Sequence, residues 1–477
     1  MAVKIVILGA GPGGYVAAVR ASKMGAEVTL IEADHVGGTC LNRGCIPSKV
    51  MKTTAEMLNH YKRSKEFGVA IAGDAHLDMK GLMTRKETVV QTQAKGILNL
   101  LANNKIEYLR GKGKITASHR IEAQMQDGGI RELVYDKLIL ATGSEPYEIP
   151  SIPFDGQKVL SSSHVLELSD VPKSLVIVGG GVIGCEFAFI FSSFGTQVTM
   201  VEGLQRLLPL PSIDEDCSRT IAREMKKRKI KIVLNRTVES VENHNEHLRL
   251  SIGKSPFSDT QNDETIPSQI IEAEKVLICV GRKPNTEGIG LKRAGVALDQ
   301  KGWIIANDKM ETNVDDIFAI GDVLGPEKIM LAHVASSEGI VAVENAMGGD
   351  RCMKYDTVPG AIFTIPEVAN VGLTEAQAKE SYGAVRADSV LFRHIGKAHV
   401  IGEIAGQVKI ISEQDSGKIL GVHIVGPHAT DLIAEGTLAV QKGCTVKELA
   451  ETIHAHPTLS EAMMETAMKS SGMEIHG

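Results

Sequence analysis

The segment GGTCLNRGCIPSK, residues 37–49, places two thiols, Cys40 and Cys45, on a glycine-rich turn with Lys49 close behind. The chain has seven cysteines in 477 residues, so packing does not explain a pair separated by four residues. Two such thiols suit reversible exchange with another disulfide, which needs a thiolate attacker and a base to manage its proton. They also suit half of a metal site or a structural disulfide. No second Cys/His pair follows at zinc-finger spacing, so we expect no metal. The remaining cysteines, Cys185, Cys217, Cys279, Cys352 and Cys444, stand singly in apolar or helical contexts and read as buried, inert thiols.

The thiols are positioned by what precedes them. VKIVIL is a short apolar run of the kind a buried parallel strand requires, and GAGPGG follows, giving Gly9, Gly11 and Gly14. A small-residue helix and a second strand, EVTLIE ending at Glu32, complete the unit. Gly9 suits the tight turn and Gly11 the close approach of a pyrophosphate. Gly14 suits helix–strand packing, and Glu32 suits an adenosine ribose. The chain then repeats itself: VIVGGGVIG supplies Gly179, Gly181 and Gly184, and GTQVTMVE ends at Glu202. Gly9 and Gly179, Gly25 and Gly195, and Glu32 and Glu202 are each 170 positions apart.

Two dinucleotide sites in one chain suggest a redox relay. The first loop leads into the thiols, so the carrier there must exchange electron pairs with both sulfur and a nicotinamide, which suits a flavin. At the second loop Glu202 suits free ribose hydroxyls and repels a 2′-phosphate, favouring NAD over NADP; Arg206 nearby is the one feature against it. With 52 Lys+Arg against 58 Asp+Glu, a net charge of −6 and no long basic run, nucleic acid is a poor partner. No apolar run reaches the ~18–20 residues of a membrane span. The chain opens directly on a strand without a charged leader, and we expect a cytoplasmic protein.

LILATGSEP (138–146), IFAIGDV (317–323) and HAHPTLSEA (454–462), together with the thiol motif and both loops, resemble the flavin-dependent pyridine nucleotide–disulfide oxidoreductases. The resemblance runs from end to end. It is strongest to members that oxidise protein-bound dihydrolipoamide to lipoamide and reduce NAD. It implies an α/β fold with two Rossmann-like domains, for FAD and NAD, and an α+β C-terminal dimerisation domain. The corresponding boundaries are 1–147 for FAD, 148–275 for NAD, 276–345 for a central segment contacting FAD, and 346–477 for the interface.

The resemblance further implies that Cys40 and Cys45 form a redox-active disulfide. Cys45 would then be the charge-transfer thiolate and Cys40 the thiol exchanging with substrate. His456 is then the base, Glu461 the carboxylate orienting it, and His454 a structural neighbour. A cis bond joins His456 to Pro457 in such proteins. Lys49 pairs with Glu186 beside the flavin. FAD contacts are implied at Gly38, Thr39, Gly113, Thr142, Gly143, Ser144, Asp322 and the run Met330, Leu331, Ala332 and His333. NAD contacts are implied at Val238 and Gly281. Each active site draws His456 and Glu461 from the partner subunit of a homodimer. The expected partner is a lipoyl-bearing acyltransferase or glycine-cleavage carrier protein, serving 2-oxo-acid dehydrogenase or glycine-cleavage complexes. The tail SSGMEIHG lacks the cysteine pair of some relatives. A non-catalytic flavoprotein scaffold is disfavoured because thiols, base and acid are all present. The polar segment 254–269 reads as a hairpin loop without chemistry.

Overall fold

The apolar run Lys4–Leu8 forms a strand, β1, buried along all but its first residue. Pro12–Lys23 forms the helix α1, and Glu27–Glu32 returns as β2, parallel to β1. Period-2 exposure is absent from β1 because a parallel sheet is covered on both faces. A computed structural model describes residues 2–244, 247–257 and 268–475. They divide into two compact units, each assembled from separated stretches of chain.

The first unit takes the chain up to Met51, Asp78–Tyr147 and Gly281–Tyr355. Its seven-stranded sheet has β1 near the middle. Lys137–Leu140 and Ile317–Ala319 lie on one side, and β2 and Glu107–Ala117 on the other, all parallel. Antiparallel strands Arg120–Met125 and Ile130–Val134 extend the far edge. The helix Ala332–Ala346 packs on α1 through small residues. A methyl group added at Gly13 would lie 3.1 Å from the Ala335 carbonyl oxygen, and one at Gly339 would lie 2.7 Å from that of Gly13.

The second unit takes Lys52–Leu77, Glu148–Val280 and the chain from Asp356 on. It repeats the strand–helix–strand device in Ser174–Val178, Val182–Phe194 and Gln197–Val201, within a five-stranded parallel sheet. An antiparallel three-stranded sheet follows at Arg236–His244, His247–Lys254 and Gln269–Ala273. The expected loop 254–269 is thus flanked by paired strands, and its residues 258–267 lie outside the described ones. The C-terminal part is an antiparallel five-stranded sheet whose strand Ile419–Gly426 is buried throughout.

Within this unit the nucleotide-type fold is fastened to the C-terminal sheet by one buried cation. Lys409, 6% exposed, binds Asp214 (3.0 Å), Asp216 (2.8 Å) and Glu375 (2.6 Å). Burial opposes its charge, but the three carboxylates win and hold the ammonium well above its ordinary value. Among the described residues no helix is long and apolar enough to cross a membrane.

Candidate functional site

The first loop is closed by two conditions read directly from geometry. Gly9 has φ +103°, and a side chain there would strike the Ala141 carbonyl oxygen at 2.2 Å; one at Gly14 would strike Gly9 O at 1.8 Å. Gly11 is different: nothing of the protein lies within 4 Å of an added methyl. Among the described residues no side chain caps α1 at Gly11, which leaves its first amides available to an anion. Glu32, 8% exposed, closes the loop from β2. It accepts the amides of Ala10 (2.6 Å) and Asp34 (2.8 Å). Burial pushes its carboxyl up, against those hydrogen bonds.

The chain leaves β2 through Gly37 and Gly38, both at positive φ. It forms the short helix α2, Gly38–Arg43, and then α3, Cys45–Lys62. Cys45 is the exposed first residue of α3 and Cys40 is half-buried on α2. The two thiols lie within hydrogen-bonding reach of each other, the closeness that the expected redox-active Cys40–Cys45 pair requires. That bond, then burial and the charge on Cys45, push the Cys40 thiol far up; Lys49 pulls it down and Asp322 adds to the rise. Lys49, one turn into α3, points its ammonium toward the Ser48 hydroxyl at 3.4 Å.

Beside the thiols the segment Ser144–Pro146 pairs with Arg282–Pro284. Arg282 donates to the Ser144 hydroxyl and carbonyl, both at 2.6 Å, and the Ser144 hydroxyl donates to Asp322 at 2.7 Å. Burial lowers the guanidinium's hold on its proton, while Asp322 and Cys45 raise it. Asp322 follows Gly321, whose amide is held by Glu338 at 2.6 Å. Glu338 is 1% exposed and also accepts the Tyr355 hydroxyl at 2.7 Å. Burial pushes the Glu338 carboxyl up. Arg282 and Glu338 were not among the sequence candidates; the only signal was their closeness to the GRKP and MLAH segments.

Thr142 and Gly143 fit a group not supplied by the protein. The Thr142 hydroxyl is buried without a partner, and nothing lies within 4 Å of a methyl added at Gly143. The helix preceded by Met330 and Leu331, beginning at Ala332 and His333, likewise has no side-chain cap. Gly38 brings α2 to within 2.7 Å of the Gly11 Cα as measured from an added methyl, and Thr39 follows it. Gly113 has a packing reason of its own: a side chain there would meet Leu8 at 2.5 Å.

The second loop copies the first. Gly179 has φ +105° and would strike Cys279 O at 2.4 Å, Gly184 would strike Gly179 O at 1.9 Å, and Gly181 is again unobstructed. Glu202 accepts the Gly180 amide (2.5 Å) and the Leu204 amide (2.8 Å). Arg206 does not offset it. Its guanidinium is spent on the carbonyls of Leu208, Leu210 and Ile213 and on the Ser218 hydroxyl. Val238 is buried on its strand, and Gly281, φ +137°, is unobstructed. Glu186, 6% exposed in the helix after Gly184, accepts the Phe363 amide at 2.9 Å. Cys185, Cys217 and Cys279 have thiols pushed up by burial, Cys217 to about 12. Cys352 departs from expectation: it is exposed, on the irregular stretch after the helix ending at Ala346, where no sheet or helix covers it.

The His456–Pro457 bond is cis. His456 Nδ1 lies 2.8 Å from Glu461 Oε1, and Glu461 Oε2 accepts the Thr458 amide at 2.8 Å. Burial works against the Glu461 charge, but the bonds from His456 and Thr458 hold the carboxyl below its usual range. The His456 ring is 78% exposed, free to present its other nitrogen to solvent or a partner surface. His454 is enclosed instead, between Glu435 (2.7 Å) and the Thr452 carbonyl (2.8 Å).

A fold with two nucleotide loops and a dithiol beside one of them defines a flavoprotein disulfide oxidoreductase. The chain belongs to the pyridine nucleotide-disulphide oxidoreductase family, whose model matches residues 3–339, with the family's dimerisation domain at 358–467. It is 41% identical to a dihydrolipoyl dehydrogenase of Chlamydia muridarum, over 99% of this chain and 97% of that protein. It is 38% identical to one from Bacillus subtilis, over 99% and 98%. The crystal structure of LpdA from Mycobacterium tuberculosis superposes with a TM-score of 0.89 at 29% identity, covering 98% of this chain and 99% of that one. The enzyme of this class uses FAD and NAD.

Proposed function

We propose that this protein is an NAD-dependent dihydrolipoyl dehydrogenase. It serves as the shared component of 2-oxo-acid dehydrogenase or glycine-cleavage complexes, and its substrate is lipoamide borne on an acyltransferase or carrier protein. The observation that carries the reading is the hydrogen-bonded Cys40–Cys45 pair at the head of α3, immediately beyond the first nucleotide loop. FAD belongs at Gly9, Gly11, Gly14, Glu32 and the Thr142–Ser144 and Asp322 segments. NAD belongs at Gly179, Gly181, Gly184, Glu202, Val238 and Gly281. The segments 1–147, 148–275, 276–345 and 346–477 are the FAD, NAD, central and interface domains of a cytoplasmic homodimer.

In the closed form Cys40 and Cys45 share a disulfide. A substrate thiol gives its proton to His456 Nε2 and attacks Cys40, releasing Cys45 as thiolate. The second substrate thiol then attacks the mixed disulfide at its substrate sulfur, forming lipoamide and freeing Cys40 as a thiol. Bound FAD supplies the two-electron relay from the dithiol to NAD. Glu461 holds the Nδ1 proton of His456, fixing the tautomer and stabilising the imidazolium. His456 and Glu461 come from the partner subunit, consistent with a dimerisation domain at 358–467 and an exposed ring. Lys49 supplies positive charge that offsets negative charge near the flavin.

Anaerobic addition of dihydrolipoamide to the yellow protein should raise a long-wavelength absorbance, and NAD should then remove it as NADH forms. If the dithiol leaves the spectrum untouched while NADH bleaches it, the substrate reading fails and the nucleotide sites stand.

A further inference from the structure

The antiparallel sheet of the second unit reaches back to the end of the strand Gln197–Val201, and its turn places an aromatic ring beside the ribose-facing carboxylate. Three backbone bonds build the rim: Arg236 N to Glu202 O, Asn235 N to Leu204 O, and Ser255 N to Asn235 O, each 3.1 Å. Ser255, 2% exposed, then receives the Phe257 amide on its hydroxyl at 3.2 Å. The result is a ring laid against Gly203. A methyl group added at Gly203 would lie 3.0 Å from the Ser255 hydroxyl and 3.5 Å from Phe257 Cδ2. Yet Phe257 is 71% exposed and Leu204, the next residue along, is 37% exposed. A large aromatic ring whose backbone is tied beside Gly203, with most of its surface in water, is a platform for a flat partner.

We infer that Phe257 is the stacking surface for the adenine of NAD. The inference rests on the NAD reading of the second loop. The carboxylate of Glu202 takes the ribose, and adenine is joined to that ribose by one glycosidic bond, so the base must lie next to residue 203. Base–aromatic stacking is strong and indifferent to the base's hydrogen-bonding edge, which suits a contact made from outside the loop. Gly203 has no side chain to stand between base and ring. The segment 254–269 therefore contributes to NAD affinity through Phe257, although its polar composition gave no hint of chemistry.

The test is calorimetry of the flavin-loaded enzyme with ADP-ribose and with adenosine 5′-monophosphate, neither of which carries a nicotinamide. Phe257→Ala should weaken both by about tenfold, the equivalent of about 1.4 kcal/mol. Phe257→Tyr should bind as the parent does. In turnover, KM for NAD should rise by the same factor with kcat unchanged, and flavin reduction by dihydrolipoamide should be unaffected. Equal affinity of parent and Phe257→Ala overturns the role of Phe257 alone, as does a Phe257→Tyr variant as weak as the alanine. A parent enzyme that binds no ADP-ribose overturns the NAD reading and this role with it.

Discussion

The two glycine loops have nearly the same backbone and opposite surroundings. Gly9 and Gly179 differ by two degrees in φ, +103° against +105°, and the two acidic residues each grip a pair of amides at equivalent places. Beyond β2, however, two left-handed glycines turn the chain into paired, reachable thiols beside Lys49 and Arg282. Around the second copy the thiols Cys185, in its helix, and Cys279, whose carbonyl meets Gly179, stand singly and have their protons held by burial. A loop that cradles a nucleotide is thus neutral as to chemistry. The residues that surround it decide what the nucleotide will do.

Exchanging the thiols separates the two regions most sharply. Cys45→Ser and Cys40→Ser should each lower dihydrolipoamide oxidation by about 10⁴-fold or more while the flavin stays bound. Cys185→Ser and Cys279→Ser should leave turnover within about twofold; steady-state assays on the four variants check this. His456→Gln should cost about 10²–10⁴-fold, as expected for loss of a general base, and Glu461→Gln less. The flavin spectrum should remain that of the parent in both.

The glycines themselves provide the next comparison. Gly11→Ala and Gly181→Ala add a methyl that meets none of the described protein atoms within 4 Å, so both should fold, with the melting temperature of the cofactor-free protein unchanged. The first should lose FAD and the second should raise KM for NAD. Gly14→Ala and Gly184→Ala meet carbonyl oxygens at 1.8 and 1.9 Å and should instead lower the melting temperature of the protein.

The second region is also fastened by a buried cation, Lys409. Replacing Lys409 with Met strands three carboxylates and should cost about 3–5 kcal/mol in urea unfolding. Asp214, Asp216 and Glu375 are all held below the usual carboxylate range by their bonds to Lys409 and neighbouring groups, against the cost of burial. Their contribution is full above about pH 4, their unfolded range, and is lost as pH falls through the lower folded values. Lys409, raised in the fold, contributes fully below about pH 10.4 and is lost above its folded value. The smallest effect is the pH dependence of that loss: the stability gap between the parent and Lys409→Met should narrow as pH falls below about 4, measured by circular dichroism.

Much of this was visible in one dimension because the loops and the thiol and His–Glu motifs are local. The thiol and His–Glu pairs each lie five positions apart, and each loop with its acidic residue spans one strand–helix–strand unit, where glycine, proline and a charged neighbour leave a readable pattern. The supporting contacts are not local. Arg282 reaches back to Ser144, Lys409 to Asp214, and Lys52 to Glu367, and no spacing rule announces a hydrogen bond that depends on how sheets pack. Arg206 shows the converse. By sequence it stood as a cation near a ribose site, and only its four hydrogen bonds reveal that it belongs to the loop's own scaffold.

The double grip of Glu202 also constrains how cofactor choice can change. A neutral, shorter residue there would admit a 2′-phosphate, but it would also unfasten Gly180 and Leu204, the residues that shape the site. On the NAD reading proposed for this loop, preference for one nicotinamide cofactor and rigidity of the pocket are the same trait. A lineage moving toward the phosphorylated cofactor must rebuild the loop's fastening before, or together with, the loss of that carboxylate, and a single substitution leads to a loose site before it leads to a new one.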